Sequence, residues 1–161
     1  MIEIVNDLDL LGFAVYPRST MTDIAPLSDD IGFLLSRAGS AMAAAAKSAL
    51  VPFELRVRSY SVLALACEHS GGLGQRQIAE NLGLDPSQIV ALVDELETRS
   101  LITRRVDPED RRHKRIHATE TGRATCVDAQ RALASSNADI LAALGNEDVS
   151  ALRRALKAIV G

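Results

Sequence analysis

The chain of 161 residues is 47% hydrophobic, 24% charged and 3% aromatic, with no Trp and two Cys. That is enough apolar material for one domain-sized core, which excludes a disordered or collagen-like chain, and two cysteines build no disulfide framework. A formal charge of -3 speaks at first sight against a nucleic-acid partner.

The charge is unevenly spread. Residues 1–30 carry six acids against Arg18 alone, which leaves +2 for everything after residue 30. Within the remainder, residues 99–115 hold seven bases against Asp107, Glu109 and Asp110, giving +4 in 17 positions. A local basic strip governs association with an anionic partner more than the global sum does. No uninterrupted apolar run exceeds the six residues of 41–46, far short of the roughly 18 residues that cross a bilayer. The first seven residues lack the positive n-region of a signal peptide, so a cytoplasmic protein with no membrane partner is expected.

Residues 1–29 form an acidic leader with Pro17, Pro26 and one apolar cluster over 8–15. It reads either as an extra helix or as an extension upstream of a start at Met21. From Asp30 a helical period begins, with Ile31, Leu34, Leu35, Ala38, Met42, Ala45, Ala46 and Ala49 at three- and four-residue steps. Pro52 breaks the chain, and a second helix is predicted over 55–68, stopped by Ser70-Gly71-Gly72-Leu73-Gly74.

Two short helices with well-marked starts follow. Gly74 caps Gln75-Arg76-Gln77-Ile78-Ala79-Glu80-Asn81-Leu82, with Leu73 and Ile78 as a hydrophobic staple. Asp85 caps the next, Pro86 sits at its first position and Gln88 at its third, with Leu84 and Ile89 as the second staple. Gly83 between them suits a positive φ. Helix, short glycine turn, helix is the helix-turn-helix pattern.

After Leu101 the period changes to alternation. Residues 101–106 and 113–118 read as two strands joined by the charged tip Asp107-Pro108-Glu109-Asp110-Arg111-Arg112. Thr119 then caps a long helix through Cys126, Val127, Ala132, Leu133, Ile140 and Leu141. Gly145 is expected to end it, and Asn146 to cap a last helix with Val149, Leu152, Leu156 and Ile159 on one face.

A helix-turn-helix followed by a basic hairpin is a winged helix, and residues 55–122 resemble the MarR family of bacterial transcriptional regulators. The resemblance is carried by the run from Gln75 to Ser87, by Leu92-Val93-Asp94-Glu95-Leu96-Glu97 with Leu101-Ile102, by the tip from Asp107 to Arg112, and by Ala118-Thr119-Glu120-Thr121-Gly122. It implies a mainly α fold with a small β-hairpin wing, in which the winged helix over 55–122 is flanked by a dimerisation helix over 30–50 and C-terminal dimerisation helices over 123–161. It also implies a homodimer, and a two-fold dimer suits a pseudo-palindromic double-stranded DNA operator with half-sites about one helical turn apart.

On the second helix of the motif, Ile89, Leu92, Val93 and Leu96 share one face and are expected to point inward. The opposite face offers Pro86, Ser87, Gln88, Val90, Ala91 and Asp94 to the major groove: Gln88 for adenine, Ser87 for a base edge or phosphate, Val90 or Ala91 for a thymine methyl. Relatives often carry a basic residue where this chain has Ala91 and Glu95, so affinity is expected to lean on the wing. There Arg112 is assigned to the minor groove, positioned by Asp110, with Arg104, Arg105, Arg111 and Lys114 on phosphates.

The resemblance further implies a small aromatic or anionic ligand that relieves a repressor, bound between dimer helices and winged helix. Arg37, Met42, Arg58 and Tyr60 are its candidate liners. No enzyme is expected, because the nucleophile, zinc-protease and dinucleotide motifs are all missing. No metal or cofactor is expected either. His113 and His117 would stand about 13 Å apart on a strand, and Cys67, Glu68 and His69 diverge by about 100° per residue on a helix. Two other readings are a winged-helix module that binds protein rather than DNA, suggested by Ala91, Glu95 and the acidic leader, and a redox regulator acting through Cys67 or Cys126.

Overall fold

The computed structural model describes residues 26–160, so the leader's apolar cluster and Met21 lie outside it. These residues fall into two compact units, the first ending at Leu35 and the second beginning at Ser36. A 3-10 turn, Leu27–Asp29, precedes helix α1, Ile31–Leu50. Asp30 caps α1 by accepting the Phe33 N–H at 2.7 Å. A second 3-10 turn containing Pro52, Val51–Phe53, follows, and Glu54 in the left-handed region (φ 52°) redirects the chain. Helix α2 therefore starts at Val57 rather than 55 and runs to Glu68.

The helix-turn-helix forms as its capping residues dictate. Helix α3, Gln75–Leu82, starts from Gly74, whose N–H donates to Gln77 Oε1 at 2.9 Å, and ends at Gly83 with φ 59°. Helix α4, Pro86–Thr98, starts from Asp85, whose carboxylate accepts the Ser87 N–H at 2.8 Å. Strands β1, Ile102–Val106, and β2, Lys114–Ala118, pair antiparallel with Ile102 opposite Ala118 and Val106 opposite Lys114. Leu73 adds a bridge to Ile116, with reciprocal N–H···O bonds of 3.1 and 2.8 Å. The sequence pattern assigned Leu73 to a staple only.

Thr119 caps helix α5, Glu120–Ile140, by accepting the Gly122 N–H at 2.9 Å. The helix stops short of Gly145, in a turn closed by Leu144 N–H on the Leu141 carbonyl at 2.9 Å. Helix α6, Asn146–Val160, begins with the Gly145 carbonyl accepting from Val149 N–H, so Asn146 lies inside the helix rather than capping it.

The core is built where these elements converge. Val62, Leu63 and Ala66 of α2, Ile78 of α3, Ile89, Val93 and Leu96 of α4, and Ile102 and Ile116 of the hairpin are buried together with Cys126 and Ala129 of α5. Each buried Leu, Ile or Val contributes about 1.5–3 kcal/mol, and together they hold α4 and the wing in fixed relation. By contrast α6 buries no residue, and Leu152, Leu156 and Ile159 lie exposed at helical spacing along it. No helix among the described residues is long and apolar enough to cross a membrane.

Candidate nucleic-acid interface

Burial of Ile89, Leu92, Val93 and Leu96 turns the opposite face of α4 outward, as their spacing predicted. Ser87, Gln88, Val90 and Ala91 are all exposed there. Ser87 Oγ donates to Asp85 Oδ1 at 2.5 Å, and these bonds hold the Asp85 carboxyl below the usual carboxylate range. Gln88 Oε1 lies 3.5 Å from Arg58 Nη1 on α2.

Glu95 departs from the expectation attached to it. It is half-buried and faces α2, where it pairs with Arg56 and accepts from the buried Ser59 hydroxyl at 3.2 Å. An acid committed to the inner side of α4 is no repulsive charge at the outer face, which removes one support for a module that does not bind DNA.

The basic strip divides into internal braces and outward cations. Arg104 does not stand free at the phosphate positions expected of it. Its guanidinium reaches Asp94 and Glu97 on α4, while its backbone N–H donates to Glu97 Oε1 at 3.0 Å. That backbone bond is the main cause holding the Glu97 carboxyl low, and the brace fastens the wing to α4. Arg115 pairs with Asp107 at 2.6 Å and Glu109 at 3.7 Å, and Arg99 donates to the Phe53 and Glu54 carbonyls at 2.8 and 2.7 Å. Arg105, Arg111, Arg112 and Lys114 remain exposed, with no side-chain ion pair among the described residues.

Asp110 also acts differently from expectation. Its Oδ1 accepts the backbone N–H of Arg112 at 2.9 Å rather than the guanidinium, and its carbonyl accepts from His113 N–H at 2.9 Å. Asp110 thus shapes the wing tip and leaves the Arg112 side chain to reach outward.

Between α4 and the wing lies an open groove of about 1050 Å³. Pro86 and Val90 contribute its apolar wall, and Arg76, Arg104, Arg112 and Lys114 are among its cations. Of the expected DNA contacts it brings together Val90, Arg104, Arg112 and Lys114; Ser87, Gln88, Ala91, Arg105, Asp110 and Arg111 lie outside its lining. Sequence reasoning missed Gln75 and Arg76, which also line it. The available signal was their place in the first turn of α3, since the first helix of a helix-turn-helix crosses the nucleic-acid backbone.

The family model for the MarR family matches residues 57–114. A MarR-family transcriptional regulator from Rhodococcus sp. RHA1 is 50% identical, covering 84% of this chain and 96% of its own, with a TM-score of 0.79. The chain belongs to the MarR family. CouR from Rhodococcus jostii RHA1, in a crystal structure with p-coumaroyl-CoA, is 51% identical over 84% of this chain and 95% of its own, with a TM-score of 0.78. A transcriptional repressor CouR bound to a 23-mer DNA duplex is 32% identical over 84% of this chain and 95% of its own, at a TM-score of 0.76. As a MarR-family chain the protein is a winged-helix transcriptional regulator, and its groove lies between α4 and the wing.

The candidate ligand liners of this MarR chain are spread over two helices. Arg37 is exposed and Met42 half-buried on α1; Arg58 is exposed and Tyr60 half-buried on α2. None of them lines the groove. Burial pushes the Tyr60 hydroxyl above its ordinary range.

Both cysteines are free thiols. Burial raises Cys67, and burial with the neighbouring Cys67 pushes Cys126 up to about 12. The thiolate, which is the form that reacts with oxidants, is therefore scarce near neutrality, and this weighs against redox sensing.

Proposed function

We propose that the protein is a homodimeric repressor that holds a pseudo-palindromic operator through α4 and the wing and releases it on binding an aromatic acyl-CoA thioester. The observation that carries the DNA half is the groove beside α4, flanked by Arg112 and Lys114, in a fold that presents its recognition helix on that face. Ser87, Gln88, Val90 and Ala91 are the base-facing set, Arg112 enters the minor groove, and Arg105, Arg111 and Lys114 take phosphates. The helices over 30–50 and 123–161 serve dimerisation. The exposed row Leu152, Leu156 and Ile159 supports this, because a partner chain is the economical cover for it.

The ligand half rests on the 51% identity to a CouR that binds p-coumaroyl-CoA. Such a thioester joins an aromatic acyl group to an anionic nucleotide, which unites the aromatic and anionic preferences expected of Arg37, Met42, Arg58 and Tyr60. Release follows if the ligand binds a conformation whose two recognition helices no longer match the operator spacing.

Ligand-dependent thermal unfolding tests this. At about 100 times its Kd a ligand stabilises by about 2.7 kcal/mol, a shift of roughly 5–10 °C for a chain of this size. p-Coumaroyl-CoA is expected to produce that shift and to free a bound operator, whereas p-coumarate and CoA alone are expected to do neither. Equal responses to p-coumarate would move the assignment to a free aromatic acid, and no response to any aromatic thioester would remove the acyl-CoA class.

A further inference from the structure

Polar groups on the outer face of α4 have neighbours within the chain, two of them close and one at longer range. Ser87 Oγ donates to Asp85 Oδ1 at 2.5 Å, the Asp94 carboxylate holds Arg104, and Gln88 Oε1 faces Arg58 Nη1 at 3.5 Å. A bidentate grip on adenine needs that Gln88 oxygen as well as its amide N–H, and the exposed Arg58 guanidinium stands 3.5 Å away as a weak competitor for it.

Between these groups stands Val90, an apolar side chain left 43% exposed on a helix whose other large apolar residues are buried. Val90 and Pro86 line the groove, and the cations Arg112 and Lys114 line it with them. Cations fix a duplex through its phosphates without reading sequence. In the major groove the only methyl, and the largest apolar group, that a base pair presents is the thymine C5 methyl.

We infer that Val90 is the main base-reading residue of the half-site, and that it selects a thymine by packing on its methyl group. Readout is then by apolar contact, with hydrogen bonds from α4 secondary. This rests on the DNA-binding reading proposed above and adds the base and the atom that are recognised.

The test starts by selecting duplexes from a random library with the wild-type protein and then replacing each thymine of the selected site by deoxyuridine, which removes the methyl alone. One thymine per half-site is expected to be sensitive. Losing about one methyl contact, near 0.8 kcal/mol, corresponds to about fourfold weaker binding per half-site, or roughly fifteenfold for both. Val90→Ala is expected to weaken binding to the thymine duplex by a similar factor and to show no further loss with the uridine duplex. A uridine penalty equally large in Val90→Ala, or none at any position in the wild type, would overturn the assignment while leaving DNA binding intact. Selection of no duplex at all would instead overturn the DNA-binding reading and the assignment with it.

Discussion

Arg112→Ala is expected to weaken operator binding by about 1–2 kcal/mol per half-site, roughly 100-fold for a two-fold dimer, with no change in folding. The separation of these effects follows from how the wing tip is held. Asp110 Oδ1 accepts the Arg112 backbone N–H, the Asp110 carbonyl accepts from His113 N–H at 2.9 Å, and the His113 carbonyl accepts from Asp107 N–H at 3.0 Å. Arg115 secures Asp107 from below and holds its carboxyl below the ordinary range. None of these bonds uses the Arg112 guanidinium, so its removal takes away a contact to DNA and leaves the turn. Fluorescence anisotropy on the operator, beside thermal unfolding of the same variant, separates the two effects. Unchanged affinity would remove Arg112 from the interface, and a lowered unfolding midpoint would make it a structural residue.

Gly122→Ala is expected to destabilise the protein by about 2–4 kcal/mol. A Cβ at this position would lie 1.9 Å from the Leu101 carbonyl oxygen and 2.8 Å from its carbon. That carbonyl also accepts from the Thr119 N–H at 3.1 Å, and the Thr119 hydroxyl, which donates to the Ser100 carbonyl at 2.7 Å, accepts the Gly122 N–H. The end of α4, the start of β1 and the start of α5 meet in this knot, and backbone atoms cannot move aside as a flexible side chain would. Helix propensity alone argues the other way, because alanine is favoured over glycine in a helix by about 1 kcal/mol. The sign of the change is therefore decisive. Urea or thermal unfolding at matched protein concentration measures it, and a stabilised variant would contradict the close approach.

The elements that the sequence made legible are those specified locally. Gly74, Asp85 and Thr119 cap the helices assigned to them, Gly83 takes a positive φ, and the apolar row of α4 is buried. Caps and periodicity act within one or two turns of chain, so a single segment contains the whole signal. The end of α5 was not legible in this way, since it stops at Ile140 in a turn with no glycine or proline of its own.

Charge pairing was legible only as a sum. The strip over 99–115 reads as seven comparable bases, yet Arg104 and Arg115 are committed to acids and Arg99 to carbonyls of the 3-10 turn region. Which cation is spent depends on side-chain reach between elements distant in sequence, such as Arg104 on β1 and Asp94 on α4. For the same reason Glu95 could be placed on α4 but not assigned to Arg56 and Ser59, and Arg76 could be placed at the start of α3 but not in the groove.

That division of the cations makes the central claim measurable. If Arg105, Arg111, Arg112 and Lys114 of each subunit meet the duplex, three at phosphates and Arg112 in the minor groove, a dimer brings about eight cations into the counterion atmosphere, and log K should fall against log salt with a slope near -7. The direct measurement is operator binding between about 50 and 200 mM salt, on DNA drawn from upstream of the protein's own gene. A slope near -7 is the expected result; binding indifferent to salt, or no binding at the lowest salt, would contradict an interface built on the wing.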